Sequence, residues 1–340
     1  NDIAATNIVN RTIELIPALV DILISEKRMQ FRESGEIQIQ ADLKNSFGIF
    51  SEVNSAEFKR VLSNLVNNAV EALENSQGTI IVGVRQLTTK FSFQNQSMIE
   101  VFVKDNGKGI PSHIISKLGQ MGVSHGKEFS GKSGSGLGLY HARLTVESLG
   151  GQLEIDSTEG KGTTIKIILP MAAAPKWFAR NIDLSNKKIL VSLDDDTSIH
   201  QIWTDRLQSL NLCKIDHIRF QSGESFQKFV NERQNSLKDI LFLIDFELLN
   251  QPKTGLDIIE ELGIEKHSIL VTSRYEEPSI QARAAKVNLR LLPKGLAGFV
   301  PLEFGTPKTI YNAIVLDDDP LVHMTWKMTL AAKNQSILCC

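Results

Sequence analysis

The sequence predicts an α/β chain of two or three domains, and three observations carry that prediction. Helix-period and strand-period apolar patterns alternate through the first half, interrupted by four short segments rich in asparagine and glycine. In the second half, evenly separated apolar runs end in acidic, acidic, hydroxyl and basic residues, the mark of a doubly wound parallel sheet whose strand ends build a site. With 340 residues, 42% of them hydrophobic, the chain can bury ordinary cores.

The first element is a helical segment, Ile8 to Phe31, in which Ile13, Ile16, Leu19, Val20, Leu23 and Ile24 recur at helical steps. A second helix is expected from Glu57 to Leu73, with Val61, Leu62, Leu65, Val66, Ala69, Val70 and Leu73 on its buried face. Its opposite face carries Asn64 and Asn68 one turn apart, with Asn67 beside them. Asparagine is a mediocre helix former that competes for backbone hydrogen bonds, and a solvated face would more cheaply use Lys or Glu. Neutral amide oxygens at this spacing can hold a hydrated Mg2+ without adding charge beside a triphosphate.

Met98 to Lys104, with Ile99, Val101 and Val103 alternating, reads as a strand that ends at Asp105. A carboxylate there can accept from an exocyclic amine such as that of adenine, and Gly107 and Gly109 let the backbone approach a ring closely. Gly134, Gly136 and Gly138 come directly before Leu139, Tyr140, Ala142, Leu144 and Val146, which read as the opening turns of a helix whose backbone N–H groups can cradle phosphate. Between Pro111 and Ser133 a long polar stretch suits a mobile lid, with Lys127 and Lys132 within reach of phosphates or simply solvated. The fourth segment is Gly160 to Thr163.

Taken together and in order, these segments resemble the ATP-binding catalytic domain of sensor histidine kinases, over roughly residues 30 to 170. The resemblance implies a two-layer α/β sandwich ATPase domain with helices on one face of a mixed sheet. It further implies Asn68 as the principal Mg2+ ligand, Asn64 as a second polar contact and Asp105 as the adenine reader. Gly107, Gly109, Ile110, Gly134, Gly136, Leu137 and Gly138 would line the nucleotide, with Lys127 near its phosphates and Thr163 beneath the base. The lid departs from the family, since Phe129 is its only aromatic residue. No histidine has the setting of a phosphoacceptor; His141, followed by Ala142 and Arg143, reads as structural. The acceptor is therefore expected on a helical hairpin upstream of Asn1, with residues 1–30 as the connection from it.

A change of texture at Met171 to Lys187 suggests a linker at 173–186 between an ATPase domain at 31–172 and a second domain at 187–305. There the runs Ile189–Leu193, Ile240–Ile244, Ile269–Val271 and Leu289–Leu292 lead to Asp194 and Asp195, Asp245, Thr272 and Lys294. The three aspartates can hold Mg2+ through oxygen, with Asp245 as the nucleophile toward a phosphoryl group. Thr272 and Lys294 would contact the transferred oxygens. This pattern resembles the flavodoxin-like receiver domain of two-component signalling. Two departures stand out: Pro252 and Gly255 come late, and Leu291 occupies the place of a common aromatic switch residue.

An internal repeat pairs Leu193, Asp194, Asp195, Asp196, His200 and Trp203 with Leu316, Asp317, Asp318, Asp319, His323 and Trp326, each offset by 123 residues. Residues 306–340 thus read as the beginning of a second receiver-like repeat. A net charge of -2 and the lack of basic tracts or zinc spacing give no sign of nucleic-acid binding. Cys213, Cys339 and Cys340 have no framework spacing, and no apolar run reaches membrane-spanning length, which fits a reducing cytoplasm for this segment. The expectation is the kinase and receiver portion of a bacterial hybrid sensor histidine kinase, homodimeric, using ATP and Mg2+ and passing phosphate to Asp245 and a downstream phosphotransfer partner. Two alternatives stay open: a non-catalytic, nucleotide-responsive interaction module with a degenerate receiver, and an ATP-hydrolysing clamp like those of mismatch repair.

Overall fold

The computed structural model describes residues 11–33, 36–73, 77–87, 97–115, 137–210, 215–304, 313–315 and 337–339, with positions 322, 324 and 326. The chain opens with β1 (Thr12–Leu15), α1 (Ile16–Phe31), β2 (Glu36–Asp42), β3 (Phe50–Val53), α2 (Ser55–Ala72), β4 (Gln77–Leu87) and β5 (Met98–Asp105). A single turn, α3 (Ser112–Ile115), then α4 (Leu137–Ser148), β6 (Gln152–Thr158) and β7 (Gly162–Pro170) complete the first unit.

Its sheet has the order β2-β4-β5-β7-β6, with β2 and β4 parallel and the other neighbours antiparallel. Side chains alternate across a strand, so a single parity of apolar residues builds a single buried face. Ile80, Val82 and Val84 of β4, Ile99, Val101 and Val103 of β5, and Ile165, Ile167 and Leu169 of β7 share one core with α1, α2 and α4. The opposite face is more polar, with Arg85 paired to Glu100 at 2.6 Å and lying 5.3 Å over the Phe102 ring. The result is the mixed-sheet, two-layer arrangement. Asn54 starts α2 by accepting from the Glu57 amide at 2.9 Å, an N-cap contact of about 1 kcal/mol.

One expectation changes at the start of the chain. Within the segment read as a helix from Ile8 to Phe31, Thr12–Leu15 is strand β1, antiparallel to β3, followed by α1 with Pro17 in its first turn; Ile8 lies outside the described residues. α1 is not a separate connection, because Ile16, Leu19, Val20, Leu23 and Ile24 belong to the first core.

The second unit comprises β8 (Ile182–Asp183), β9 (Ile189–Leu193), α5 (Thr197–Ser209), β10 (Asp216–Phe220), α6 (Gly223–Asn231) and β11 (Ile240–Asp245). It continues with α7 (Gly255–Leu262), β12 (Ser268–Thr272), α8 (Pro278–Lys286), β13 (Arg290–Pro293) and β14 (Leu302–Glu303). The sheet order is β10-β9-β11-β12-β13, with every pairing parallel. All six residues of β11 are buried, and they divide by parity. Ile240, Phe242 and Ile244 enter one core, while Leu241 and Leu243 enter another, so each face is covered.

Residues 173–186, read as a linker from their composition, are instead packed structure. Phe178, Ala179, Ile182 and Leu184 are all buried. The Leu291 amide donates to the Trp177 carbonyl at 2.7 Å and the Ala179 amide to the Leu291 carbonyl at 2.9 Å, so the segment adds itself to the edge of β13. Strand β8 pairs with β14. The linker reading failed because small residues in Ala172–Ala174 mask an apolar set too short to show a period.

Toward the end, β15 (Ala313–Val315) and β16 (Ile337–Cys339) pair in parallel, as β9 and β10 do earlier in the chain. Among the described residues no helix is long and apolar enough to cross a membrane.

Candidate functional sites

The first site forms where the carboxyl end of β5 meets α2, α4 and the β6–β7 turn. Asp105 is the last residue of β5 and only 7% exposed. Its Oδ1 accepts from the Gly107 amide at 2.9 Å and from the Thr163 amide at 3.2 Å. Burial pushes its carboxyl upward, and the two amide bonds pull back without reversing the shift. The carboxylate is thus fixed in place but still short of donors. Ser157 braces the same floor: its hydroxyl accepts from the Ile110 amide at 2.9 Å, donates to the Gly162 carbonyl at 3.0 Å and lies 2.9 Å from Thr163 Oγ1. Gly162, at φ 109°, permits this closeness, since a Cβ there would stand 2.1 Å from the Asp105 carbonyl oxygen.

The asparagine face of α2 divides in two. Asn64 and Asn68 are half-buried, and a Cβ at Gly138 of α4 would meet Asn64 at 3.9 Å, so the start of α4 abuts Asn64. Asn67 turns away to α1, where its Oδ1 accepts from Lys27 Nζ at 2.7 Å. Lys27 is 5% exposed, its ammonium pulled down in pKa by burial. Sequence reasoning missed Lys27, since a lone lysine in an amphipathic helix carries no sign of burial.

The second site lies at the carboxyl ends of β9, β11, β12 and β13. Lys294 Nζ donates to Asp245 Oδ2 at 2.6 Å and to Asp194 Oδ1 at 2.9 Å. Carboxylate oxygens of Asp194, Asp195 and Asp245 lie within 4.8 Å of one another. Burial is the main cause that raises the Asp245 carboxyl to about 6, with Asp194 adding repulsion and Lys294 opposing both. Asp194 is raised too, again chiefly by burial. Its Oδ2 is buried and has no hydrogen-bond partner among the described residues. Three carboxylates against one ammonium, with a bare buried oxygen, fit a hard divalent cation. Thr272 is fully buried and its hydroxyl accepts from the Arg274 amide at 3.0 Å. Gly255 follows a longer connection than the receiver resemblance implies, yet returns to Asp245: a Cβ there would lie 1.9 Å from its carbonyl oxygen. Leu291 is buried against Phe178 rather than exposed as a switch.

Behind Asp194 runs a polar chain that the sequence did not reveal. His200 Nε2 lies 2.9 Å from the Asp194 carbonyl, and a carbonyl only accepts, so Nε2 carries the proton. Burial lowers the pKa of both His200 and His217, the latter to about 4, which keeps both rings neutral. His200 Nδ1 is then bare, and Ser192 donates to it at 2.7 Å. Ser192 in turn accepts from His217 Nε2 at 2.7 Å, and Thr204, whose hydroxyl donates to the His200 carbonyl at 2.9 Å, stands 3.0 Å from His217 Nδ1. The Asp194 carbonyl thus sets the proton direction at His200, Ser192 and His217 Nε2.

Of the residues singled out in the sequence, Asn64, Asn68, Asp105, Gly107, Gly109, Ile110, Gly138 and Thr163 surround one floor, and Asp194, Asp195, Asp245, Thr272 and Lys294 gather at the other. Leu137 begins α4. Lys127, Lys132, Gly134 and Gly136, with the rest of the lid, lie outside the described residues, as do Asp317, Asp318, Asp319 and His323 of the repeat. His141 is exposed on α4 with its ring 5.9 Å from that of Tyr140, not enclosed as a structural role implied.

Residues 53–173 match the family described as histidine kinase-, DNA gyrase B-, and HSP90-like ATPase. Among curated proteins, the chain is 30% identical over 190 residues to the hybrid signal transduction protein dokA of Dictyostelium discoideum, covering 53% of this chain and 10% of that protein. It is 32% identical to the circadian input-output histidine kinase CikA of Synechococcus elongatus, over 40% of this chain and 17% of that one. To the sensor histidine kinase WalK of Bacillus subtilis it is 32% identical, over 36% and 19% respectively. The chain thus spans only a small part of these relatives. Among solved structures, the catalytic domain of histidine kinase ThkA is 22% identical, with 47% of this chain and 97% of that one covered and a TM-score of 0.39. Full-length ShkA in complex with AMPPNP is 14% identical, covering 97% and 67%, with a TM-score of 0.41. Residues 53–173 thus match an ATPase family that includes histidine kinases, and the chain is similar in part to sensor and hybrid histidine kinases.

Proposed function

We propose that this chain is the kinase and receiver portion of a two-component phosphorelay, in which ATP phosphorylates a histidine on a helical hairpin and Asp245 then accepts the phosphoryl group. The observation that carries the first half is Asp105. Among the described residues its buried carboxylate has backbone donors on Oδ1 alone, and it remains raised in pKa, so the exocyclic amine of adenine supplies the further donor. Asn64 and Asn68 would hold the Mg2+ that accompanies the triphosphate, and the turn into α4 would carry its phosphates.

In the first transfer the γ-phosphorus leaves the bridging oxygen of ADP and bonds to a histidine nitrogen, which gives up its proton. In the second the N–P bond breaks as a carboxylate oxygen of Asp245 bonds to phosphorus, and the nitrogen keeps the electron pair. The parallel order β10-β9-β11-β12-β13 and the Asp194, Asp195, Asp245 and Lys294 cluster support a flavodoxin-like receiver domain as the place of that step. A divalent cation bound by the three carboxylates would supply charge neutralisation toward the incoming phosphoryl group. Lys294 and the Thr272 hydroxyl would position its oxygens.

A second reading, a nucleotide-responsive module without transfer, draws on the β-bridge of Phe178 to Leu291, which covers the β13 edge of the sheet. Calorimetric titration with a non-hydrolysable ATP analogue and Mg2+, comparing wild type with Asp105→Asn, tests the nucleotide assignment. Asparagine would present a second donor to the amine, so affinity is expected to fall about 10- to 100-fold, the equivalent of ~1.5–3 kcal/mol for a bond to a charged group. Unchanged affinity sinks the assignment, and binding without phosphorylation of Asp245 by a phosphorylated hairpin favours the second reading.

A further inference from the structure

Both phosphoryl-positioning groups of the acidic site stand on segments that run straight into the first domain. Lys294 opens a 3-10 turn, Lys294–Leu296. A Cβ at Gly295 would lie 3.7 Å from Asp21 Oδ2 of α1, and Leu296, 2% exposed, shares a buried cluster with Leu15 and Ala18. Thr272 leads in three residues to Tyr275, whose ring is 5.9 Å from Trp177. Trp177 in turn stands 6.3 Å from Phe50 of the first domain and 5.9 Å from Phe178. Apolar burial of this kind, about 1.5–3 kcal/mol for each large side chain, makes the junction a packed core rather than a loose contact.

The other end of the same helix reaches the nucleotide site. At a rise of ~1.5 Å per residue, Lys27 lies about 9 Å along α1 from Asp21. It donates to Asn67 on α2, between the Mg2+-facing Asn64 and Asn68. A single rigid element therefore touches the turn behind Lys294 and the helix behind the asparagines.

We infer that α1 couples the two sites, so that a phosphoryl group on Asp245 weakens nucleotide binding at Asp105 and Asn68, and nucleotide correspondingly opposes the phosphorylated state. At rest the Lys294 ammonium is shared between Asp245 and Asp194. Phosphoryl oxygens on Asp245 add a stronger anionic partner, which draws the Lys294 turn toward the site and away from Asp21 and Ala18. α1 loses that support, and with it Lys27 loses its hold on Asn67. By linkage the coupling is reciprocal and of the usual five- to 150-fold range. It rests on the reading of Asp245 as acceptor, and its test separates the two.

The test titrates the whole chain with a non-hydrolysable ATP analogue and Mg2+, with and without beryllofluoride, an acyl-phosphate mimic whose own binding is followed by fluorine NMR. Expected is a weakening of analogue binding of about fivefold or more in wild type. In Lys27→Met, which keeps the buried stem, the effect should largely vanish while beryllofluoride still binds. If both ligands bind and neither alters the other, the coupling is wrong and the proposed function stands. If either ligand fails to bind wild type, the proposed function fails and the coupling falls with it. Should Lys27→Met not fold, amide exchange in wild type decides: slower or faster exchange at Lys294–Leu296 on adding analogue supports the coupling, and no change overturns it.

Discussion

Asp105 and Asp245 are both strand-terminal, both almost buried and both raised in pKa chiefly by burial, yet their partners differ. Asp105 is held by backbone amides, which cannot move or change charge. Asp245 is held by the mobile ammonium of Lys294 and stands beside two further carboxylates. A carboxylate fixed by the main chain suits recognition of a neutral donor, which must happen the same way each time. One balanced between cation and anions suits chemistry, because its charge can be taken up by a phosphoryl group. The same desolvation therefore serves two purposes, and the neighbours decide which.

The largest expected effect breaks the comparison at its chemical half. Asp245→Asn should abolish base-labile acyl phosphate on this chain after incubation with a phosphorylated hairpin, while leaving analogue binding at Asp105 unchanged. Persistent label would place the acceptor elsewhere.

Lys294→Met sharpens it next. Removing one partner of a buried ion pair costs about 3–5 kcal/mol, and Asp245, with Asp194 still beside it, should move above about 6. The sign follows from proton binding: a folded carboxyl raised above its ordinary 3.8 binds protons that the unfolded chain does not, so its contribution is full below that value and lost as pH rises toward about 6. In the variant the loss should extend to higher pH. Urea denaturation at pH 5 and pH 8 checks this, and a variant equally destabilised at both would refute it.

How far the sequence could be read differs between the same two regions. Asp105 and Asp245 were both legible, because a strand period ending in a carboxylate survives as a local signal. So was the parallel sheet, from its evenly separated apolar runs. The partners were less legible. The division of Asn67 from Asn64 and Asn68 depends on Lys27, 40 positions away, and only the packing of α1 on α2 brings it there. Phe178, Ala179, Ile182 and Leu184 form no regular element long enough to show a period, so their burial follows from the edge of β13 that the segment covers. Local chemistry was written in the sequence; what braces it was settled by tertiary contacts.

Each aspartate also has a glycine pressed against its carbonyl, and the two should respond unequally. Gly162→Ala meets the Asp105 carbonyl oxygen at 2.1 Å and must also hold φ 109°, so a loss of about 3 kcal/mol is expected from overpacking plus backbone strain. Gly255→Ala meets the Asp245 oxygen at 1.9 Å without a left-handed φ, and about 2 kcal/mol is expected. Thermal denaturation of both variants orders them, and the reverse order would show that α7 yields less readily than the β6–β7 turn.

The smallest effect probes the side-chain support behind Asp194. Ser192 stands in the middle of the chain from Thr204 through His217 and His200 to the Asp194 carbonyl. Ser192→Ala leaves the bare Nδ1 of His200 and the Nε2 proton of His217 without their partner, at a cost of about 1 kcal/mol or a little more. Because His200 then loses the bond that holds its ring from behind, the turn carrying Asp194 and Asp195 should loosen and Mn2+ affinity, followed by electron paramagnetic resonance, should fall several-fold. Ser192→Thr, which keeps the hydroxyl, should restore it. Analogue affinity at Asp105 should not move in either variant. Equal Mn2+ affinity in Ser192→Ala and wild type would mean that Lys294 and the loop backbone alone hold Asp194 in place.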